Sequence, residues 1–403
     1  MPAQSFWTDP LVSLSRITPA TDGQQYFFGY YDIPAFSGDG RYHLVNRVPF
    51  RDRLPRETDS CELCLIDLKA IAAGAKPEDA FSRFAETKAW NFQQGALLQW
   101  YPAGSGSQVI YNDWDGRGYH ATVLDMRTGK ERRIERPLAN VSPNGHWGLS
   151  LNFDRIWNFR PGYGYCNRQD PWYNNPQPEE DGIWLVDLLT NTSRLLVSYA
   201  HLGFLYNLDP ALSQRKIVVN HITFNRTSDR FLFLVRFFPE QGEHWLTGLG
   251  TVDLSGIVYL LRPYTYASHY HWRDSQTILI HTEGSEGPGM YELTDLSQQE
   301  KYCNHPVLSK DIHCSYSPDR RWIIGDGYPD KEGMRPVALY DCHTGRGRTI
   351  GRFISPPVPV GDIRCDLHLR WSPDGRHVSF DSTHEGYRGV YLLDLSALLD
   401  AGL

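Results

Sequence analysis

The feature that most constrains this chain is a two-part pattern that recurs seven times. One part is an apolar run ending in aspartate: LCLIDL (Asp67), ATVLDM (Asp125), IWLVDL (Asp187), LGTVDL (Asp253), MYELTDL (Asp295), VALYDC (Asp341) and VYLLDL (Asp394). The other is a turn sequence ahead of each: FSGDGRYHL from 36, WYPAGSGSQVI from 100, VSPNGHWGLS from 141, FNRTSDRFLFL from 224, WRDSQTILI from 272, YSPDRRWIIG from 316 and WSPDGRHVSF from 371. The two sets interleave one for one, and successive aspartates lie from 42 (Asp253 to Asp295) to 66 (Asp187 to Asp253) residues apart. A unit of that length, reading strand, turn, strand, loop, strand, turn, strand, is a four-stranded antiparallel blade. Seven in a row specify an all-β, seven-bladed β-propeller, one domain over residues 1–403.

The last unit stops soon after Asp394, short of its outer strand, while LVSLSRIT (11–18) precedes the first unit and alternates apolar with polar. It is therefore expected to complete the last blade and close the ring, which leaves no open edge. Composition agrees: 35 glycines, 26 prolines and 13% aromatics suit short strands joined by turns. A net charge of −7 without a basic block argues against a nucleic-acid partner. No apolar run is long enough to cross a bilayer, and the N-terminus lacks the pattern of a secretion signal. Seven scattered cysteines, with Cys61 and Cys64 on opposite faces of a strand, read as buried free thiols of a cytoplasmic protein. The sequence does not address self-association.

Three residues before the aromatic that opens the turn, four consecutive units carry histidine: HITF (His221), HYHW (His269), HCSY (His313) and HLRW (His368). A lone strand histidine is usually structural, but four in register on the strands that line a propeller's channel converge on its axis. By strand alternation His269 shares a face with His271, and Asp366 with His368, while Cys314 and Cys365 face away. Imidazole nitrogens with a carboxylate suit a divalent transition ion such as Mn, Fe or Zn.

The HxxWSPDG units and the terminal WSPDGRHVSF are similar to PD40-type propeller repeats. His313 in HCSYSPD, with Asp366 and His368 in DLHLRWSPDG, resembles the cytoplasmic oligogalacturonate lyases. That resemblance implies a propeller whose channel holds a manganese-type ion on three histidines and a glutamine, and which cleaves short uronic-acid chains by β-elimination. His313 and His368 match two metal histidines; Asp366 stands where the third would be and Ile363 where the glutamine would be. His269 matches the family's proposed base. The chain thus reads as a diverged relative, with Mn the favoured ion. Related propeller lyases that use histidine, tyrosine and arginine without that metal offer a second route to the same chemistry.

β-Elimination requires a base at C5 of the uronate, an acid at the leaving oxygen, and a cation for the charge that develops on the carboxylate. His269 or His221 is the candidate base, and His313, Asp366, His368 and His269 are candidate metal ligands. Arg364 and Arg370 flank the ligand pair and, in a regular strand, share its face. The insertion NFDRIWNFRPGYGYCNRQDPWYNNPQPEEDG (152–182) offers Arg155, Arg160 and Tyr163, and WNFQQGALLQW (90–100) offers Gln94, as contacts for an acidic oligosaccharide. Glu385 in HEG reads as turn chemistry. Two other readings compete: a glycan- or partner-binding propeller with a structural channel metal, and a metal-dependent sugar hydrolase or isomerase. No G-x-S-x-G elbow supports a peptidase.

Overall fold

The computed structural model describes residues 5–20, 22–206, 214–240 and 243–403. They form seven antiparallel sheets in a ring. Blade 1 comprises Gln25–Phe27, Tyr42–Val48, Cys61–Asp67 and Phe81–Thr87, and blade 4 Ile217–Phe224, Arg230–Phe237, Thr247–Asp253 and Val258–Thr265. Blade 5 comprises Ala267–Trp272, Thr277–Gly284, Gly287–Thr294 and Glu300–Tyr302, and blade 6 Ile312–Tyr316, Trp322–Gly327, Met334–Asp341 and Arg346–Ile354. Blades 2 and 3 begin at Gln99–Trp100 and Asn140–Val141.

Blade 7 has three strands of its own, Arg370–Trp371, His377–Ser382 and Gly389–Asp394, and Ser13–Arg16 supplies the fourth by pairing Ser13 with Asp394 and Arg16 with Tyr391. The ring closes as the alternation in 11–18 foretold. A second N-terminal strand, Phe6–Thr8, pairs with Phe353–Gly351 and gives blade 6 a fifth strand; three residues are too few to show alternation.

The repeated turn sequence has a physical reason. The serine hydroxyl donates to the aspartate or asparagine two residues on (Ser37 to Asp39, 2.6 Å; Ser142 to Asn144, 2.7 Å; Ser372 to Asp374, 2.5 Å), and that side chain accepts from the backbone N–H two residues further. The aromatic before the turn ties neighbouring blades at the hub. Trp100, Trp272 and Trp371 each donate Nε1 to a carbonyl of the preceding blade: Ala35 (3.1 Å), in the connection after the first strand, and Thr223 (3.0 Å) and Ser315 (3.4 Å), on first strands. First strands are therefore adjacent around the axis, which is what brings residues at one offset together.

The turn glycines differ in their surroundings. At Gly145 (φ +69°) a Cβ would lie 2.4 Å from Ala103 N, whereas at Gly40 (φ +70°) the nearest atom would be Pro373 Cδ at 4.0 Å. Gly145→Ala is expected to cost about 2–4 kcal/mol, combining left-handed backbone with overpacking, and Gly40→Ala about 1–2 kcal/mol from the backbone alone. Denaturant midpoints of the two variants check the difference.

Candidate active site

The register that brings the histidines together is completed by irregular backbone. The ladder of blade 4 shifts between Val219 and His221, and that of blade 5 between Ala267 and Tyr270. His368 has φ +47° and precedes the short strand Arg370–Trp371. Bulges re-aim side chains; here they sit at His221 and His269, and a left-handed residue does the same at His368. Only His313 lies on an undistorted ladder, opposite Asp326. The expected regular strand over 364–370 does not form, so alternation does not decide where Arg364 and Arg370 point. His271, expected on the face of His269, instead accepts from Tyr316 N (3.4 Å) and lines a cavity at the other end of the channel.

Ring centroids of His269 and His313 are 4.0 Å apart, and those of His313 and His368 4.5 Å. His221 joins through Tyr30, whose ring stacks on it at 5.0 Å and meets His368 edge-on at 4.8 Å; the Tyr30 hydroxyl is 3.4 Å from His221 Nε2. Each imidazole has one nitrogen tied. His269 Nδ1 lies 2.9 Å from Asp311 Oδ1, His313 Nδ1 3.1 Å from Asp326 Oδ2, and His368 Nδ1 2.9 Å from the Gly29 carbonyl. An Nδ1–H facing an acceptor leaves the Nε2 lone pair free, and Nε2 of His313 and His368 are buried without a partner.

Asp326 organises this corner. It is fully buried, holds His313, and accepts from the backbone N–H of Leu367 (3.2 Å) and His368 (3.0 Å). That network maintains the left-handed backbone at His368, a conformation that costs free energy in a non-glycine residue. Asp366 lies between Arg335 Nη2 (2.5 Å) and Arg364 Nη2 (2.8 Å). Burial alone would raise its carboxyl, but the two guanidiniums outweigh that and hold it well below the usual carboxylate range. Burial lowers His221 and His368 well below the ordinary imidazole value, and lowers His269 against the opposing charge of Asp311.

The other sequence candidates scatter. Arg155 is wholly buried in the insertion, occupied by the carbonyls of Ile217 and Pro176 and by Asp170 (3.4 Å). Arg370 is a brace: it donates to Gly29 O (3.0 Å) and Ser379 Oγ (3.2 Å) and pairs with Asp381 (2.7 Å). Neither guanidinium is free to meet a ligand. Arg160 lies over Tyr163 (4.4 Å) and Trp245 (5.6 Å), and Tyr163 meets His221 edge-on at 5.2 Å. Gln94 lines a small cavity with Tyr30 and His221. Ile363 is packed in the core.

Sequence reasoning missed Tyr30, Asp311, Asp326, Arg335 and Arg236. Arg236, at the end of the second strand of blade 4, donates Nε to Thr247 Oγ1 (3.1 Å), while its buried Nη1 has no partner; burial pushes it down to about 10. Trp245 (41% exposed) and Tyr328 (46%) stand at the open side, Trp245 over Arg236 at 5.6 Å and Tyr328 6.3 Å from His269. No shared offset marked any of these, because they sit on second and third strands and in loops.

One atom each from His313, Asp366 and His368 lies within 4.8 Å of the others, the one group among the described residues that could hold a metal ion. Two oriented, unpartnered imidazole nitrogens beside a carboxylate fit a divalent ion. His269, engaged with Asp311, stands outside the group. Purified protein is expected to carry about one transition ion per chain, lost in His313→Ala and in His368→Ala; elemental analysis reads it.

Fold and site together define a seven-bladed propeller with a histidine cluster where its blades converge. The structure is similar over its full length to an oligogalacturonate lyase in complex with manganese (TM-score 0.67, 14% identity, 96% of this chain and 95% of that one). An oligogalacturonate lyase from Vibrio parahaemolyticus gives TM-score 0.66 and 14% identity, covering 97% and 96%. The tricorn protease matches at TM-score 0.51 and 12% identity, with 95% of this chain on 35% of that one. At these identities the likeness is one of fold. No protein-family model matches the chain. No curated protein matches it in sequence.

Proposed function

We propose that this chain is a lyase that cleaves an acidic, uronic-acid-containing oligosaccharide by metal-assisted β-elimination. The observation that carries the reading is the His269–Asp311 pair set 4.0 Å, ring to ring, from His313, whose Nε2, like that of the neighbouring His368, is buried without a partner. His313, Asp366 and His368 would hold the divalent ion. Bound there, such an ion supplies Lewis-acid stabilisation of charge on the uronate carboxylate.

In this reading His269 Nε2 takes the C5 proton, and Asp311 stabilises the imidazolium that results. Tyr30, kept protonated by burial, gives its proton to the departing oxygen, and His221 behind it can return one. Arg236 and Arg160 meet the substrate carboxylates, with Arg364, Tyr163 and Gln94 around them and Trp245 offering a face for a sugar ring to stack upon. All seven cysteines are free thiols, which supports a cytoplasmic setting.

The test is a scan of uronate oligosaccharides for ultraviolet absorbance. A lyase forms a conjugated double bond, a hydrolase gives reducing ends without absorbance, and a binding propeller gives neither. Because His269 must be neutral to accept the proton and its value is lowered from 6.5, activity is expected to persist at pH values below 6.5. Asp311→Asn removes a charge that favours the imidazolium, so the acid limb moves to still lower pH while the maximal rate falls. A pH–rate profile of both proteins decides it.

A further inference from the structure

The channel has a second mouth. At the ends of the first strands of blades 1 to 5, beyond the histidines, lies a cavity of about 570 Å³ bounded by the turns that follow those strands. Its walls are Phe36, Trp100, Val141, Phe224 and Trp272. The two indole N–H groups already donate to Ala35 and Thr223, so the ring surfaces left to the cavity are apolar. Its floor is closed on itself: Thr223 Oγ1 lies 2.8 Å from Asp32 Oδ2 and 3.0 Å from the Tyr270 hydroxyl. Those groups, with Tyr30 and Tyr31, separate it from the histidine cluster.

The polar groups at the rim are unequal. Burial and the charge of Arg226 push His271 down to about 3, so it is neutral at pH 7. Arg226 stands in an exposed turn, near Arg320 and opposed by Asp274, and makes no hydrogen bond or ion pair among the described residues. A cavity of this volume, largely apolar with one converging cation, has the character of a small-molecule site. The carboxyl of Asp32 at the floor, at about 6, is largely ionised at pH 7 and disfavours an anion there, so the charged end of a ligand belongs at Arg226 and its ring between the tryptophans.

We propose that this mouth is a second binding site, for a small molecule with a flat apolar ring and one carboxylate or sulfonate. The proposal is independent of the elimination reading. Its test titrates the intact protein with 8-anilinonaphthalene-1-sulfonate and, separately, with neutral N-phenyl-1-naphthylamine, following fluorescence. Saturable binding of one sulfonate probe per chain is expected. Arg226→Ala weakens it by about tenfold, the scale of one charge-assisted contact, and leaves the neutral probe unchanged.

Gly38 lines the cavity, and a Cβ there meets nothing within 4 Å, so Gly38→Phe fills the space and weakens both probes. Melting midpoints establish that both variants fold, and Arg226→Ala alone decides the matter should Gly38→Phe not. Absence of saturable binding to the wild type, an unchanged sulfonate affinity in Arg226→Ala, or an unchanged affinity for both probes in a folded Gly38→Phe overturns the proposal.

Discussion

His269→Ala is expected to lower elimination by about 10²–10⁴-fold in kcat, the usual contribution of a positioned general base. His269 combines the features that role needs. One nitrogen is fixed by a carboxylate at 2.9 Å, the ring is mostly enclosed yet reaches the open side beside Tyr328, and it lies next to the candidate ion site without belonging to it. The loss should fall on kcat, with KM changed by less than about threefold, because a base gains its interaction in the transition state. Metal content should stay at the wild-type level, which separates this variant from His313→Ala. His221→Ala is the comparison: acting behind Tyr30, it is expected to cost about 10–10²-fold. If His221→Ala is the more damaging of the two while His269→Ala keeps its rate, the base assignment passes to His221.

The propeller was legible because its cause is repetitive. Ser-x-Asp hydrogen bonding and the aromatic that bridges to the preceding blade recur at fixed offsets, and the same offset carried the four histidines to one place. What the sequence concealed was local backbone and non-repeating partners. Alternation would have put Arg364, Asp366, His368 and Arg370 on one face, but the left-handed residue at His368 interrupts the strand. Arg370 then turns to Asp381 and Gly29, while Arg364 stays with Asp366. Asp311 lies in a connection, and Asp326, Arg335 and Arg236 lie on second and third strands. Each is paired through contacts of one place in the ring, several of them between blades, that repeat nowhere else.

Arg335→Leu is expected to destabilise the protein by about 3–5 kcal/mol, the scale of breaking a buried ion pair by removing one partner. Arg335 is 1% exposed, and its guanidinium pairs with Asp366 at 2.5 Å, stands 3.9 Å from Asp326, and donates to Gly327 O and Ser355 Oγ at 3.2 Å each. Its removal leaves the buried Asp366 with one remaining guanidinium, Arg364, whose side chain keeps 19% of its surface in solvent, and takes the nearby cation from Asp326. Arg364→Leu is therefore expected to cost less, about 1–3 kcal/mol, since water can approach the side it vacates. The double variant Arg335→Leu with Asp366→Leu should regain much of the loss, because it removes the orphaned charge together with its partner. Denaturant unfolding of the wild type, Arg335→Leu, Asp366→Leu and the double variant forms a cycle whose coupling term measures the pair. A single Arg335→Leu that costs less than about 1 kcal/mol would mean that solvent reaches Asp366 in solution. The corner that holds His313 and His368 would then be far more open than its geometry indicates.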